Sequence, residues 1–472
     1  MKYRIYLFLK FYKIALKLKK IDQETENILS ASRLKRRLTR KEKNKRFHGY
    51  KSVQNKRIQF LNDKDWEIVK HHSFRLHDFL LEKEFINKSI FPPSHIYIPK
   101  NFTFEQEDFE STTKILGDIC SSFLHLKGKE ITIDFSKCVK TDIATLFILD
   151  VLTSNYWEEI KKMESKLAHL KIKPDITIIR SKSEDVNILL AIFDFTFITE
   201  DEAKRKEIKS ISNLGILSGS KSQKNYHENK KGKNVTLIIQ YINRCINQHH
   251  YELVIDTKNN IEGMISEILN NGEDHGVMNT WYVTANYVIR QHSENEIIGE
   301  LNLVFFNFGL SIFEGFEETK EKNHENYEEL KQLYDYICYN NPKHNFTKEN
   351  LFTLYALQEG NSRLKYEQES RGTGTMKFIK SFLEFGDFEE TKRGYLPKLS
   401  IISGATHLIC DNKYHPFSLD NVGYLSLNEE KDLSLLPSKT HLKSLSKVLP
   451  GTLLSVKIFL NEEHFNKKYY ES

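Results

Sequence analysis

The sequence predicts an α/β protein with more than one domain, and three observations support this prediction. Strand-like and helix-like segments alternate between residues 95 and 205, an amphipathic helix begins near residue 260, and β-rich runs follow it. A chain of 472 residues with 39% apolar and 12% aromatic residues can bury more than one ordinary core. We therefore expect several globular parts.

Residues 1–94 are predicted to form a basic, largely helical N-terminal arm. The first 57 residues contain 19 Lys or Arg and 4 Asp or Glu, a net charge of +15, which leaves −9 on the rest of a chain whose total charge is +6. Such a block favours a polyanionic partner, either a nucleic acid or an anionic membrane surface. A solvated arm, or an arm bound to a protein, is the alternative.

Residues 95–205 alternate strands with helices, which predicts a small α/β layer domain. The run ITIDFSKCVKTDIATLFILDVL within it resembles the central strand, loop and helix of a STAS domain, the fold of anti-sigma-factor antagonists. The resemblance implies a protein partner for this domain. In that family a phosphorylatable serine follows the aspartate at the helix start, whereas Ile143 follows Asp142 here. Thr141 and Thr145 could replace that serine, although Thr141 and Asp142 are simpler to interpret as helix caps.

Residues 206–234 are rich in Ser, Lys, Asn and Gly, which predicts a linker ahead of a C-terminal domain at residues 235–472. The five cysteines lie far apart and form no CxxC pair. This spacing argues against a disulfide framework and against a zinc module, and it favours the reducing cytoplasm.

The segment at residues 265–276, ISEILNNGEDHG, is the centre of the C-terminal domain. Its apolar residues fall at helical spacing and predict one buried stripe. A neighbouring face of the same helix carries four polar residues: Glu267, Asn271, Asp274 and His275. A carboxylate one helical turn from an amide suits a magnesium-nucleotide site, while a solvated polar face beside a core stripe is the plainer interpretation.

This stretch resembles the N box of the gyrase, chaperone, histidine kinase and mismatch-repair (GHKL) ATP-binding superfamily, in which asparagine follows glutamate by four residues. Further boxes follow in the superfamily's order: Asn307 and Gly309 at a strand end, Gly372, Thr373 and Gly374 before a helix, and Thr452 at the last strand. A long helical stretch between residues 309 and 371 corresponds to the ATP lid. The resemblance covers residues 235–462 and implies a two-layer α/β sandwich.

The resemblance also implies roles for these residues around Mg·ATP, with ATP and Mg²⁺ as cofactors. Asn271 would offer an oxygen to the metal, Glu267 would polarise the attacking water or hydroxyl, and glycines at a helix start would hold phosphates. The remaining pocket residues by this resemblance are Asp274, Asn307, Gly309, Thr373 and Thr452. In the superfamily, Asn307 stands where an aspartate accepts a hydrogen bond from adenine, and Ser311 stands at a second glycine.

Three functions stay open at this point. The first is an ATPase that works as a conformational switch coupled to nucleic acid or a protein, and that could close as a homodimer. His275 and Gly276 favour a serine/threonine kinase of the anti-sigma-factor type, which the long lid disfavours. The substitutions at Asn307 and Ser311 would suit a non-catalytic nucleotide-sensing scaffold.

Overall fold

The computed structural model describes residues 75–86, 93–125, 130–166, 174–220, 229–275, 280–293, 296–361, 374–385, 397–411, 413–420 and 422–460. Most of the predicted basic arm, residues 1–74, lies outside the described residues. Its last part contains helix α1 (Arg75–Glu82). The chain divides into two compact units, of which the first comprises residues 1–101, 111–139 and 149–182 and the second comprises residues 102–110, 140–148 and 183–472.

The first unit is built on a three-stranded parallel sheet. In chain order the elements of this part of the sequence are β1 (His95–Tyr97), β2 (Asn101–Phe102), α2 (Phe109–His125), β3 (Glu130–Asp134), β4 (Lys140–Thr141), α3 (Ile143–Lys166) and β5 (Asp175–Ile179). The sheet has the strand order β1-β3-β5, and both pairs are parallel. Parallel neighbours require crossover connections, which α2 and α3 provide. The predicted alternation of strands and helices is confirmed.

One face of this parallel sheet is apolar and the other is open. Ile96, Ile131 and Ile133 are buried, whereas the alternate residues His95 and Tyr97 are exposed. Successive side chains of a strand point to opposite faces, so the exposed residues share the second face. Parallel sheets usually have both faces covered. Among the described residues this second face is largely exposed, with Asp134 buried on it.

The second unit is built on an antiparallel sheet. Its elements in chain order are α4 (Glu184–Ile192), α5 (Glu200–Arg205), β6 (Ile208–Asn213), β7 (Leu217–Ser220), α6 (Asn229–Asn247), α7 (Ile255–His275), β8 (Thr280–Ser293), β9 (Glu296–Phe308), α8 (Ile312–Thr319), α9 (His324–Asn340), α10 (Lys348–Ala356), α11 (Gly374–Phe385), β10 (Lys398–Cys410), β11 (Phe417–Leu419), β12 (Val422–Tyr424) and β13 (Leu442–Leu460). The strand order is β10-β13-β9-β8-β6, with β7 also paired to β8.

Helices α6, α7 and α11 form a layer beside this sheet. Helix α7 contacts both other helices as well as β8 and β9, and α11 contacts β10. Ile265 and Leu269 of α7 join Leu303 and Phe305 of β9 in one hydrophobic core. The protein is thus a mixed α/β structure with one parallel and one antiparallel main sheet. The β-rich runs predicted after helix α7 are confirmed as β8 and β9, which pair antiparallel as a hairpin.

One sequence prediction differs from the structure. Residues 206–234, predicted as a linker, contain β6 and β7, both of which pair with β8, and the start of α6. Polar composition is compatible with edge strands that keep one side solvated, so composition alone misassigned this segment. Strand β10 has register shifts at Gly404. Gly404 has a φ of +59°, a conformation that glycine adopts without a steric penalty.

All five cysteines are described, and none of them is joined in a disulfide. Across the helices in the described ranges, none is long and apolar enough to cross a membrane.

Candidate functional site

Helix α7 carries the predicted carboxylate and amide. Ile265 and Leu269 of its apolar stripe are fully buried, which confirms the predicted orientation. Glu267 and Asn271 are half-buried and lie one helical turn apart on the neighbouring face. Among the described residues, neither of these two side chains has a hydrogen-bond or ion-pair partner. The helix is held by its apolar stripe, and the two polar groups remain available for a ligand.

Gly272 brings the polar part of α7 against the ends of β8 and β9. A Cβ atom added at this glycine would lie 3.0 Å from Cβ of Trp281 and 3.7 Å from Cβ of Asn307. Trp281 and Asn307 face each other across the hairpin. Because glycine lacks a side chain, the helix backbone next to Asn271 can approach Asn307 closely.

Asn307 lies beside the last strand, which carries the predicted pocket residue Thr452. Thr452 is its register partner on β13, and Gly451 is the partner of Phe308. Gly451 has a φ of +135°, and a Cβ there would lie 1.9 Å from the carbonyl oxygen of Asn307. Only glycine fits so close to that carbonyl. The structure therefore brings Asn307, Gly451 and Thr452 together, although they are separated by more than one hundred residues in the chain.

The Thr452 hydroxyl supports the strand ends rather than facing an open space. Its Oγ1 lies 2.9 Å from Oγ of Ser403, and that Oγ also accepts a hydrogen bond from the backbone N–H of Ile312 at 2.8 Å. This chain of bonds connects β13, β10 and the start of α8. Thr452 is thus placed to hold the position of Asn307 on the adjacent strand.

Ser311, which stands where the superfamily has a second glycine, is the N-cap of α8. Its Oγ accepts from the backbone N–H of Glu314 at 3.1 Å, and the Glu314 carboxylate accepts from the Ser311 N–H at 2.7 Å. These two bonds form a capping box. The serine therefore has a structural role at the start of the helices that follow β9. Gly309 precedes it, and its N–H donates to the Pro450 carbonyl at 3.4 Å.

Other predicted residues are only partly described. Gly374 begins α11, whose apolar residues Met376, Ile379, Phe382 and Leu383 are all buried as predicted. Gly372 and Thr373 lie outside the described residues, as does Gly276. Helix α7 continues through His275, but the side chains of Asp274 and His275 are outside the described part. Because α11 packs along α7, the start of the predicted phosphate-binding helix belongs to the same helical layer as Asn271.

The sequence analysis missed a buried ion pair at the end of α7. Glu273 is buried, and its Oε1 accepts a hydrogen bond from Nε1 of Trp281 at 3.0 Å. Its Oε2 lies 3.1 Å from Nζ of Lys231 on α6, and the same ammonium donates to Asn270. Glu273 follows Leu269 by four residues on the buried stripe. A carboxylate in an apolar series at that spacing is the signal that could have predicted a buried charge.

Two further features do not belong to this site. A cavity of about 10 Å³ lies in the core, lined by Ile242, Ile261, Met264, Leu301, Leu303, Ser381, Phe382 and Ile458. A volume of this size holds at most one water molecule and is a packing defect. Within the described residues, no group of three or more His, Cys, Asp or Glu side chains could hold a metal ion.

Capping also explains the residues of the STAS-like segment. The Asp142 carboxylate accepts from the backbone N–H of Thr145 at 2.7 Å and from that of Phe104 at 3.2 Å, and the Thr141 hydroxyl donates to the Phe102 carbonyl. Asp142 is therefore the cap of α3, as the simpler interpretation predicts. Thr145 is fully buried, so its hydroxyl is inaccessible to a kinase.

No protein-family model, no curated protein and no solved structure matches this chain.

Proposed function

We propose that the second unit binds Mg·ATP beside α7 and hydrolyses it as a conformational switch. The observation that carries this proposal is the convergence of three separate segments. Gly272 places the polar part of α7 against Asn307, and Asn307 pairs with Thr452 on the last strand. Segments that are far apart in the sequence, and that share an order with the GHKL boxes, are thus adjacent in space.

The residues at this place fit a magnesium nucleotide. Mg²⁺ prefers oxygen ligands, and proteins often supply only one or two of them while phosphates supply the others. Asn271 offers such an oxygen, and its side chain has no competing partner among the described residues. Glu267, one turn away, is a half-buried carboxylate with the same freedom. Bound Mg·ATP would supply the electrophilic phosphorus, while the protein positions groups around it.

Each residue has a distinct role in the proposal. Asn271 binds the metal, Glu267 orients and polarises the attacking water, and Asn307 accepts or donates a hydrogen bond at the adenine edge. Gly374, the first residue of α11, offers its backbone N–H group to the phosphates. The resemblance assigns the same role to Gly372 and Thr373, which lie outside the described residues. Asp274 and Gly309 complete the pocket. Helices α8, α9 and α10 stand at the place of a lid, which would exclude water when closed.

The test is phosphate release from Mg·ATP by the full chain, with nucleotide binding measured on the same samples. Glu267→Ala should retain binding and lose turnover by at least about 100-fold, the usual contribution of a positioned general base. Asn271→Ala should weaken the magnesium dependence of binding as well as turnover. Glu262→Ala is the matched control, because Glu262 is an exposed carboxylate on the same helix. Full turnover in Glu267→Ala, or equal losses in Glu262→Ala, would contradict the proposal.

A serine/threonine kinase and a non-catalytic scaffold are the competing functions. The segment between β9 and α11 contains three helices. It is therefore longer than the short lid of the serine kinases. Labelled ATP distinguishes the three functions in one experiment. Free phosphate without protein label indicates an ATPase, stable label on protein indicates a kinase, and bound nucleotide with neither product indicates a sensing scaffold.

A further inference from the structure

The first unit contains a basic, aromatic edge that the proposed ATPase does not use. The carboxyl ends of the three parallel strands lead into three short loops, at residues 98–100, 135–139 and 180–182. Because all three strands are parallel, these loops meet at one edge of the sheet. We name this place the carboxyl edge, defined by Tyr97, Lys100, Lys137, Arg180 and Lys182.

Backbone and side-chain hydrogen bonds hold these loops side by side. The N–H of Val139 donates to the carbonyl of Lys100 at 2.8 Å, and the Ser181 hydroxyl donates to the carbonyl of Cys138. The N–H of Phe135 donates to the carbonyl of Ile179 at 2.9 Å. The cationic residues of the carboxyl edge therefore come from loops that are fixed against one another.

The charge of this edge is positive. Lys100, Lys137 and Lys182 are exposed, and Arg180 is half-buried. Asp134 is an acidic residue at the carboxyl end of β3. Its carboxylate accepts a hydrogen bond from the N–H of Ser136 at 2.8 Å and lies 3.0 Å from Nε2 of His95. The opposite ends of β3 and β5 begin with the exposed acids Glu130 and Asp175. The open face is thus acidic at one end and basic at the other.

An exposed aromatic ring stands beside these cations. Tyr97 is 56% exposed, and its ring stacks on His95 with centroids 4.4 Å apart and planes 28° apart. The Lys137 ammonium lies 5.4 Å from the centre of the same ring. His95 is in turn oriented by Asp134, so the stack is preorganised. A planar base can extend this stack while lysines meet the adjacent phosphates.

We propose that the carboxyl edge binds a single-stranded nucleic acid, with one base stacked on Tyr97 and phosphates contacted by Lys100, Lys137 and Lys182. An open sheet face with an aromatic platform suits unpaired bases, because every base has a face that can stack. This binding site is separate from the basic segment at residues 1–57, and it does not depend on the proposed ATPase.

The first test measures binding of a fluorescein-labelled single-stranded DNA oligonucleotide to the full chain by anisotropy. Tyr97→Ala should weaken binding about 5- to 150-fold, the range expected for the loss of one stacked base. Tyr97→Phe keeps the ring and should bind as the wild type does. Tyr339→Ala is the matched control, because Tyr339 is an exposed tyrosine on α9 and is 86% exposed. Equal affinity of Tyr97→Ala and Tyr339→Ala would overturn the proposal.

The second test measures the salt dependence of the same binding. Each phosphate contact on a single strand contributes about 0.7 to the slope of log affinity against log salt concentration. Lys137→Gln should therefore lower the slope by about 0.7, whereas Lys439→Gln, which removes an exposed lysine elsewhere, should leave it unchanged. An unchanged slope in Lys137→Gln would show that residues 1–57 account for all of the binding, and would overturn the proposal.

Competitors identify what the edge recognises. Inorganic polyphosphate has the charge of a nucleic acid without bases, so Tyr97→Ala should not change its affinity. If Tyr97→Ala weakens polyphosphate and oligonucleotide binding equally, base stacking is excluded and the proposal fails. AMP should compete weakly because it offers one phosphate. Competition by AMP at the affinity of the oligonucleotide would assign the edge to free nucleotides and contradict a strand-binding role.

Discussion

Thr452 lies directly opposite Asn307 on the neighbouring strand, and its hydroxyl is bonded to Ser403 instead of being free for a ligand. This pairing fixes the position of Asn307, because Ser403 also accepts a hydrogen bond from the backbone N–H of Ile312 at the start of α8. A substitution at Asn307 would therefore test its proposed role in nucleotide recognition, whereas a substitution at Thr452 would disturb both the strands and Asn307.

Asn307→Asp should increase the affinity for ATP about fivefold and decrease the affinity for GTP. A carboxylate makes a charge-assisted hydrogen bond to the exocyclic amine of adenine, which adds about 1 kcal/mol over the neutral amide. Guanine presents a carbonyl at that position, which a carboxylate repels. Calorimetric titration with both nucleotides checks this prediction, and Asn307→Leu provides the variant without any polar group. Parallel changes for ATP and GTP would show that Asn307 does not face the base.

Several parts of this structure were predictable from the sequence because local patterns determine them. The stripe of α7 and the hairpin β8–β9 follow from apolar periodicity, which depends on the sequence near each residue. Strands β6 and β7 were not predictable in this way. Their pairing to β8 depends on residues at least 60 positions away in the chain. A polar segment with serines and glycines has no local signal for such a pairing.

The candidate site, like the fold, was predictable only where local spacing determines it. Glu267 and Asn271 are recognisable because their spacing is local, whereas the approach of Gly272 to Asn307 is a tertiary contact that no spacing predicts. The pairing of Glu273 with Lys231 and Trp281 also depends on the packing of α6 and β8. Sequence reasoning could find a carboxylate on the buried stripe, but it could not identify the groups that neutralise it.

Glu273→Ala should destabilise the protein by about 2 to 4 kcal/mol, because it removes the carboxylate that pairs with a partly buried ammonium and leaves a buried indole N–H without its acceptor. The Lys231 side chain is 25% exposed, so water can compensate part of the loss. Urea unfolding followed by tryptophan fluorescence measures the change. Glu262→Ala, an exposed change on the same helix, should stay within about 0.5 kcal/mol. Equal effects of the two variants would mean that the buried ion pair contributes nothing to stability.

The lowered pKa values of two histidines predict that the free energy of unfolding decreases below pH 6.5. Burial, together with Lys443 and Lys398, lowers the pKa of His407 from 6.5 to about 3, and burial with His250 lowers the pKa of His249 to about 4. A lowered pKa in the folded state means that the unfolded chain binds more protons as the pH falls. The stabilisation is therefore complete above pH 6.5 and is lost progressively between pH 6.5 and the folded pKa.

For His407 alone, the loss between pH 7 and pH 5 should be about 2 kcal/mol, from about 1.4 kcal/mol per unit of pH. His249 is more accessible and should contribute less. His407→Gln should reduce the difference in unfolding free energy between the two pH values by about 2 kcal/mol. His415→Gln, at an exposed position, should leave the difference unchanged. A wild-type difference that persists in His407→Gln would exclude this histidine as the origin.

Lys348 of α10 should control how firmly the three helices after β9 hold together. Its ammonium lies 2.8 Å from the Glu317 carboxylate of α8 and 2.8 Å from the Tyr327 hydroxyl of α9, and 4.8 Å from the centre of the Phe352 ring. One side chain therefore connects all three helices. Burial raises the pKa of the Glu317 carboxyl, but the bonds to the lysine outweigh this effect and keep the pKa below its usual value. The connection therefore persists at neutral pH.

Lys348→Gln should increase hydrogen exchange across α8, α9 and α10 and leave α11 unchanged. The local opening free energy should fall by about 1 kcal/mol, because the lysine side chain is one-third exposed and part of its bonding is replaced by water. Lys331→Gln is the matched control, since Lys331 forms an exposed pair with Glu328 on α9 at 3.6 Å and such pairs contribute little. If these helices act as a lid over nucleotide, Lys348→Gln should also change the rate of phosphate release while Lys331→Gln does not. Faster exchange with an unchanged release rate would show that the three helices are structural and do not gate the site.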